Sequence, residues 1–208
     1  MTKPPLLLIG AGGHALACID VIEQCGQFQI AGLVGTREEM QTTRLGYPVI
    51  GTDEDLPRLL KKIPHACIAV GQLDSPDMRM ALYSRAVDTG FNLPVIISPM
   101  AYVSHHATVG AGTIVMHGAV INAAGNVGLN CIINTRSLIE HGASVGDHCH
   151  VSTGAILNGN VVIGRGSFVG SGSVVREGVS IGTRCVIGMA TSVRYGQPDN
   201  ARFTGHAK

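Results

Sequence analysis

Large aromatic rings and charges are both scarce in this sequence. Tryptophan is absent, aromatic residues make up 4% of the 208 positions, and charged residues make up 14%, against about 25% in typical globular domains. A core of stacked rings is therefore excluded, and the net charge of +1 excludes a basic surface for nucleic acid. No uncharged apolar run approaches about 18 residues, so we expect no transmembrane helix and no membrane partner. Disorder is excluded because 45% of the residues are hydrophobic.

The six cysteines show no C-x-x-C spacing, which gives no support to a zinc ribbon or a redox dithiol. The tripeptide His148-Cys149-His150 is also a poor metal site, because the repeat described below turns the cysteine inward and both histidines outward. The apolar stretch near the start is too short for a secretory signal. We therefore predict a cytoplasmic protein with reduced thiols and no metal ion.

Residues 1–98 alternate between strand-like and helix-like segments. Short apolar runs predict strands at residues 5–9, 27–34, 65–71 and 91–97. A helical stretch follows the turn Gly10-Ala11-Gly12-Gly13-His14, a second helix opens at Thr52, and a third begins at Ser75-Pro76-Asp77. Because strands alternate with helices, this part of the chain is predicted to be a parallel α/β sheet.

Glycine, by contrast, is abundant, with 28 residues, and the second half of the chain has a different period. Every sixth residue from Val103 to Val193 is valine, isoleucine or leucine, without a slip. Such a repeat is the signature of a parallel β-helix, in which three hexapeptides make one coil, and we predict it over residues 99–194. Small side chains recur four residues after each aliphatic one, so Cys131, Cys149 and Cys185 should stack as thiols on one inner face. Residues 195–208 are predicted to form a C-terminal loop.

Three segments of the repeat carry a family resemblance: INTRSLIEHG (133–142), VSTGAILNGNVVIG (151–164) and FVGSGSVV (168–175). They resemble the bacterial sialic-acid O-acetyltransferase (NeuD) family and the related PglD-like enzymes that N-acetylate nucleotide-linked 4-amino sugars. Both groups have an N-terminal Rossmann-like domain that opens with a G-x-G/S-G-H turn, as residues 10–14 do here. The resemblance covers nearly the whole chain. It implies a left-handed β-helix, acetyl-CoA as co-substrate, a sugar or nucleotide-sugar acceptor and a homotrimer.

The resemblance also implies roles for individual residues. His141 matches the general base of the family, and His150 matches the histidine that contacts the thioester region of acetyl-CoA. Ser171 and Met189 match positions whose backbone faces the CoA arm. The residues that match the acceptor site are Gly12, Gly13, His14, Gly71 and, within the IEHG-containing segment, Asn134.

Two departures from the amino-sugar enzymes stand out. Those enzymes have a glutamate directly after the catalytic histidine, where this chain has Gly142, as the sialic-acid group does. They also have acidic residues at the end of the second strand, where Val34-Gly35-Thr36 stands here. Recognition of a ribose or base by a carboxylate, the acceptor sugar, and O- versus N-acetylation are therefore left open.

The chemistry of acyl transfer agrees with this interpretation. The reaction needs a base near the acceptor proton, a donor for the developing oxyanion and a groove for the pantetheine arm. The repeat places His141 at an exposed corner, and a histidine titrates near neutral pH. Glu140 is a candidate to orient it, the alternative being a merely solvated carboxylate. At the other end of the chain, the helix N-terminus at Gly12-Gly13-His14 offers free N–H groups to a phosphate or carboxylate.

The spacing of the two histidines gives an independent reason for a trimer. His150 lies nine residues, or half a coil, after His141, so the two side chains project from opposite sides of one prism. Three prisms around a threefold axis can bring His141 of one chain to His150 of its neighbour.

Two other functions stay open. One is a noncatalytic β-helix module that binds sugar nucleotides, and the other is an NAD-dependent enzyme that uses Gly10-x-Gly12. Against the NAD-dependent enzyme, the sequence lacks the acidic residue that an NAD site requires at the end of the second strand, about twenty residues after the glycine turn.

Overall fold

The structure is a computed structural model that describes residues 2–204. Two compact units are present: Met1–Gly71 with Asp77–Ile96, and Gln72–Pro76 with Ile97–Lys208. The predicted boundary at residue 98 falls close to this division, and the short segment Gln72–Pro76 groups with the second unit. Residues 205–208, which belong to the predicted C-terminal loop, lie outside the described part.

The first unit is a five-stranded sheet with three α-helices. Its strands are β1 (Pro5–Ile9), β2 (Gln29–Val34), β3 (Thr43–Arg44), β4 (Tyr47–Gly51) and β5 (His65–Ile68). Its α-helices are α1 (Gly13–Cys25), α2 (Leu56–Leu60) and α3 (Asp77–Thr89), and 3₁₀ turns lie at Arg37–Glu39 and Asp53–Asp55. The strand order is β3-β4-β2-β1-β5, parallel except for the β3–β4 pair. This is the predicted Rossmann-like arrangement.

Two features of the first unit differ from the sequence-based prediction. Residues 91–97 do not form a strand of this sheet: Asn92 makes one isolated bridge to His65, and Pro94, which has no N–H to donate, interrupts the run. The antiparallel β3–β4 hairpin was not predicted. Its turn residues Leu45 and Gly46 both have positive φ, 48° and 87°, as a type I′ turn requires, but the sequence lacks the usual Asn-Gly signal.

The second unit is a parallel β-helix of very short strands in three sheets of six, five and seven strands. The strands are β6 (Ile96–Ile97), β7 (Tyr102–Val103), β8 (Thr108–Val109), β9 (Ile114–Val115), β10 (Val120–Ile121), β11 (Asn126–Val127), β12 (Ile132–Ile133), β13 (Leu138–Ile139), β14 (Ser144–Val145), β15 (His150–Val151), β16 (Ile156–Leu157), β17 (Val162–Ile163), β18 (Phe168–Val169), β19 (Val174–Val175), β20 (Ser180–Ile181), β21 (Val186–Ile187), β22 (Ser192–Val193) and β23 (Arg202–Phe203).

Each coil of the helix takes eighteen residues. Val120 pairs with Leu138 and Ile121 with Ile139, and the same shift recurs through the sheets. The second residue of each strand from β7 to β22 is the aliphatic residue of the hexapeptide, and these side chains form one continuous core. The predicted period is therefore confirmed. Part of the predicted terminal loop is a strand instead: Arg202 and Phe203 pair with Val186 and Ile187 and extend the seven-stranded sheet.

A column of small polar side chains fastens one coil to the next inside the helix. The column contains Thr113, Cys131, Cys149, Ser167 and Cys185, and each side chain donates to a main-chain carbonyl of the following coil. Cys131 Sγ lies 3.2 Å from Gly146 O, Cys149 Sγ lies 3.1 Å from Gly164 O, and Ser167 Oγ lies 2.8 Å from Gly182 O. Burial raises the pKa of the Cys149 thiol well above its usual value, so the group stays a protonated donor. The prediction of stacked inner thiols is confirmed.

Glycine serves two different purposes in the repeat. Directly after an aliphatic residue, at Gly164 for example, a Cβ would lie only 2.5 Å from the carbonyl carbon of Gly182 in the next coil. Two residues further along most corners the backbone has positive φ, as at Gly154 (φ 65°), where a Cβ would meet nothing within 4 Å. At Gly164 the close approach of the next coil excludes a side chain, whereas the left-handed position tolerates one, since Ala190 adopts φ 52° there.

We expect Gly164→Ala to destabilise the β-helix by about 3 kcal/mol, because the coils must separate to admit a methyl group. The matched variant Gly154→Ala should cost only about 1 kcal/mol, the usual penalty for a left-handed alanine. Thermal denaturation followed by circular dichroism measures both, and equal melting temperatures for the two variants would contradict this account of the repeat.

Candidate active site

His141 lies at an exposed corner of the β-helix, two residues after the buried Ile139. Its side chain is 64% exposed, and its Nδ1 lies 3.3 Å from Oε2 of Glu140. The same carboxylate oxygen accepts hydrogen bonds from the His141 N–H at 3.2 Å and from Asn122 Nδ2 at 3.0 Å. The His141 N–H, and after it Asn122, lower the pKa of Glu140, which holds that group as a carboxylate. Glu140 thus engages Nδ1, and within residues 2–204 the other ring nitrogen, Nε2, has no hydrogen-bond partner.

The imidazole of His141 also lies against the next coil. A Cβ added to Gly159 would stand 2.7 Å from His141 Nε2 and 2.8 Å from Cε1. Gly142, which follows the histidine, has φ 66°, and a Cβ there would collide with Asn160 Oδ1. The ring therefore lies on the bare backbone of Gly159, and a glutamate at position 142 would have to adopt a positive φ and displace the Asn160 side chain.

His150 lies on a different face of the β-helix and is only 5% exposed. Its Nδ1 lies 2.6 Å from the carbonyl oxygen of Gln72, so this nitrogen carries the proton, since a carbonyl can only accept. Its Nε2 accepts from Asn134 Nδ2 at 3.0 Å, and Asn134 Oδ1 accepts from the Thr135 N–H at 2.8 Å. The repeat correctly places His150 on the outside of the coil. Gln72, which contacts the ring, and Phe168, which packs against it, help to bury this outward side chain, and the repeat predicts neither contact.

We call residues 72–76 the strap, because they cross the outer surface of the coils that carry His150 and Gly166. Gln72 is 3% exposed and donates from Nε2 to Gly166 O at 3.2 Å. A Cβ on Gly166 would lie 3.1 Å from Pro76 Cγ. Asp74 pairs with Arg202 of the last strand at 2.5 Å. Main-chain and side-chain contacts thus hold the strap along its length.

Ser171 and Met189 lie one coil apart on the corner that follows the seven-stranded sheet, and Asn134 lies on the same corner two coils earlier. Ser171 Oγ is 2.9 Å from Ser152 Oγ, and Met189 is 78% exposed. His141 lies on the corner that follows the six-stranded sheet. One chain therefore brings Asn134, His150, Ser171 and Met189 to one edge of the β-helix and His141 to another.

A separate cleft of about 570 Å³ opens at the carboxyl ends of the strands in the first unit. Gly10, Ala11 and Gly12 line it at the start of α1, which begins at Gly13. Gly71 lies beside His14, where a Cβ would be 3.5 Å from the Cβ of the histidine. Of the residues predicted to hold the acceptor, Gly12 therefore lines a cavity of suitable size for a ligand, whereas Gly13, His14 and Gly71 are not among its lining residues.

Acidic side chains reach this cleft, although strand β2 ends without one. Glu39 lines it and accepts from the Thr36 N–H at 2.9 Å, and Asp53 and Glu54 line its other side. They come from the two 3₁₀ turns that follow β2 and β4. The sequence-based prediction considered only the end of the second strand, Val34–Thr36, and did not include these residues. The pattern Thr36-x-x-Glu39, a capping box, was the signal that could have found the first of them.

Basic side chains accompany these carboxylates in the cleft. Arg37 pairs with Glu54 at 3.1 Å, and Arg85 lies 3.6 Å from Asp53. Arg44 bonds to Glu39 at 3.3 Å and donates from Nε to Ala11 O at 2.6 Å, which ties the hairpin to the glycine turn. The cleft thus offers donors and acceptors of both charges.

Family profiles match both halves of the chain. The PglD N-terminal domain matches residues 5–86, the hexapeptide repeat of succinyl-transferase matches residues 126–158, and the bacterial transferase hexapeptide (six repeats) matches residues 160–193. Fold and profiles together define a hexapeptide-repeat transferase with a left-handed β-helix. No curated protein sequence matches the chain.

Comparison with solved structures shows which hexapeptide-repeat transferases this chain is similar to. A histidine-to-asparagine variant of perosamine N-acetyltransferase from Caulobacter crescentus, in complex with CoA and GDP-perosamine, is 34% identical, with a TM-score of 0.89 over 94% of this chain and 91% of that one. The acetyltransferase domain of PglB from Neisseria gonorrhoeae FA1090, in complex with acetyl coenzyme A, is 31% identical, with a TM-score of 0.87 over 95% and 94%. WeeI from Acinetobacter baumannii AYE shares the fold at 21% identity, with a TM-score of 0.83 over 95% of each chain.

The chain belongs to the PglD-like family of acetyltransferases. The resemblance noted in its sequence is confirmed, and membership favours an enzyme over both the noncatalytic module and the NAD-dependent enzyme. Within residues 2–204, no helix is long and apolar enough to cross a membrane. The same residues contain no group of three histidine, cysteine or acidic side chains placed to hold a metal ion.

We expect Gly159→Ala to lower kcat about 10²-fold, because a methyl group there would push the imidazole of His141 from its seat, and misplacement by about 1 Å has effects of that size. Steady-state assays measure kcat, and a melting temperature close to that of the wild type serves as the control for folding. A correctly folded variant with unchanged kcat would show that the seat on Gly159 does not position the ring.

Proposed function

We propose that the protein transfers the acetyl group of acetyl-CoA to the amino group of a nucleotide-linked sugar, with His141 as general base. The observation that carries this proposal is the chain of hydrogen bonds from Asn122 to Glu140 to His141, which engages Nδ1 and leaves Nε2 of this exposed side chain able to accept a proton. Relatives in complex with CoA and GDP-perosamine support the choice of donor and acceptor class. Surface-glycan biosynthesis is the setting in which such a product is used.

The proposed reaction is a direct transfer. His141 Nε2 accepts a proton from the sugar amine as the amine nitrogen attacks the acetyl carbonyl carbon of the thioester. A C–N bond forms and the carbonyl oxygen becomes an oxyanion. The intermediate then collapses, the C–S bond breaks, and the departing CoA thiolate takes the proton from the imidazolium. The carboxylate of Glu140 stabilises the transient imidazolium and keeps the ring in the productive orientation.

We place the donor along the corner that carries Ser171 and Met189, where the pantetheine arm meets mainly backbone groups. Its acetyl end then lies near Asn134 and His150, lower on the same corner. Backbone contacts suit this role because the coils repeat their N–H and carbonyl groups at a spacing of about 4.8 Å. The exposed Met189 side chain offers an apolar surface at the upper end.

We place the nucleotide of the acceptor in the cleft of the first unit. The N–H groups at Gly12 and Gly13, at the positive end of the α1 dipole, suit its phosphates. Glu39 and Asp53 can accept hydrogen bonds from ribose hydroxyls, as acidic residues do in related nucleotide sites. His14 and Gly71 border the same turn. These carboxylates supply the acidic groups that are missing from the end of the second strand.

A free sialic acid is a second candidate acceptor, O-acetylated by the same base. It is favoured by Gly142, which matches the sialic-acid group and adopts a positive φ that a glutamate would find strained. The helix N-terminus at Gly12 and Gly13 would suit its carboxylate.

The first test is a thiol-release assay with acetyl-CoA against GDP- and UDP-linked amino sugars and free sialic acids, with mass analysis of the product. We expect His141→Ala to lower kcat about 10²–10⁴-fold and to leave acetyl-CoA binding unchanged, because only proton transfer is lost. His105→Ala, in the same column two coils away, is the matched control and should behave as the wild type. Wild-type kcat in His141→Ala would rule out this base.

We also propose a homotrimer, on the basis of one face of the β-helix. Five of the six outward residues of the six-stranded sheet, all but Ser192, form an apolar column, which we call the apolar face: Tyr102, Val120, Leu138, Ile156 and Val174. Tyr102 is 56% exposed and Val174 is 37% exposed. The five-stranded sheet instead presents mostly polar residues, such as Thr108, Asn126 and Ser144. A buried subunit contact is the simplest role for one apolar face beside a polar one.

The trimer would complete the active site, because His141 borders the apolar face and Asn134 lies on another corner. Packing the apolar face of one subunit against its neighbour brings the two corners of different chains together around a threefold axis. Each donor would then lie between subunits.

We expect Leu138→Asp to convert the trimer to monomers, since a charge would be buried in the contact, and Ser144→Asp on the polar face to leave the trimer intact. Light scattering after size-exclusion chromatography gives the mass of each variant.

Mixing inactive His141→Ala with inactive His150→Ala subunits and re-assembling them should restore partial activity. An active monomer, or mixed trimers as inactive as either parent, would refute the shared site.

A further inference from the structure

His150 and Asn134 belong to one hydrogen-bonded chain that begins at the strap. The Gln72 carbonyl accepts from His150 Nδ1 at 2.6 Å, and His150 Nε2 accepts from Asn134 Nδ2 at 3.0 Å. The Thr135 N–H fixes the other end of the amide by donating to Asn134 Oδ1 at 2.8 Å. The order of donors is set throughout, because the Gln72 carbonyl can only accept and a backbone N–H can only donate.

This arrangement leaves His150 with no N–H to offer a substrate. Its one ring proton is committed to the Gln72 carbonyl, and its other nitrogen presents a lone pair to Asn134. The ring is also 5% exposed and packs edge-on against Phe168, with centroids 5.2 Å apart. A group placed in this way can orient a neighbour, but it cannot stabilise negative charge on a thioester oxygen.

Asn134, unlike His150, has an N–H that it can donate to a substrate. Its side-chain nitrogen carries two hydrogens, and within residues 2–204 the structure shows one acceptor for them, the His150 ring. Asn134 is partly exposed, on the corner that also carries Ser171 and Met189. Because both its oxygen and its nitrogen are held, the remaining N–H has a fixed direction. Preorganised amide donors of this kind are what an oxyanion site requires.

We propose that Asn134 is the side-chain donor to the acetyl carbonyl oxygen of acetyl-CoA, and that His150, anchored by Gln72, is a positioning residue for it. This assignment rests on the proposed function. It replaces the thioester contact expected of His150 by one from the next residue along the hydrogen-bonded chain. Asn134 makes no covalent bond: its N–H shortens its hydrogen bond to the carbonyl oxygen as that oxygen becomes negative.

A double-mutant cycle tests the assignment. Asn134→Ala should lower kcat about 10²–10³-fold with an unchanged KM for acetyl-CoA, because one oxyanion donor is lost. His150→Ala should have a similar effect, and the double variant should be no worse than either single one. His150→Gln, which keeps a donor and an acceptor, should restore kcat to within about tenfold of the wild type. Additive losses in the double variant would mean that His150 contacts the thioester itself and would overturn the proposal.

Infrared spectroscopy of bound acetyl-CoA labelled at the acetyl carbonyl gives a readout that needs no turnover. A hydrogen bond to the carbonyl lowers its stretching frequency, so wild type should show the shift and Asn134→Ala should lose it. Asn126→Ala, a matched change on the polar face, should keep it. Equal frequencies in wild type and Asn134→Ala would overturn this assignment alone. Failure of the wild type to bind acetyl-CoA would overturn the proposed function together with it.

Discussion

The stacking of one inward aliphatic side chain on the next, eighteen residues away, is the constraint on which the β-helix depends. Ile121 lies beside Ile139, and Ile139 lies beside Leu157, so each side chain fills the space between its neighbours. A shift of one residue would turn the whole column outward. The small residues of the inner column then close the remaining space and bond one coil to the next.

The candidate catalytic group follows from the same constraint. Asn122, Glu140 and Asn158 occupy equivalent positions in successive coils, and His141 and Gly159 occupy the next. Coils separated by about 4.8 Å place such side chains within hydrogen-bond reach of each other. The hydrogen bond of Asn122 to Glu140 and the seat of His141 on Gly159 are two results of this spacing. Contacts within the repeat thus position the imidazole.

The first unit builds its cleft differently, from the ends of strands and the turns that follow them. Thr36 and Thr52 each open a 3₁₀ turn, and the acidic residues of these turns line the cleft with Arg37 and Arg85. These capped turns thus supply the cleft with charged side chains that the ends of the strands lack. The strap, in contrast, depends on contacts that are distant in sequence. Gln72 directly follows the sheet unit in the chain but contacts His150 and Gly166 of the β-helix.

The period of six by itself determined the β-helix, its eighteen-residue coil, the inward thiols and the exposed corner of His141, because each depends only on local repetition. Alternating segments were enough for the parallel sheet, but not for the β3–β4 hairpin or the interruption at Pro94. The carboxylates of the cleft and the burial of His150 depend on contacts between residues far apart in sequence, which no period encodes. Only the tertiary structure decided that both ring nitrogens of His150 are engaged and that Asn134 carries the N–H left over.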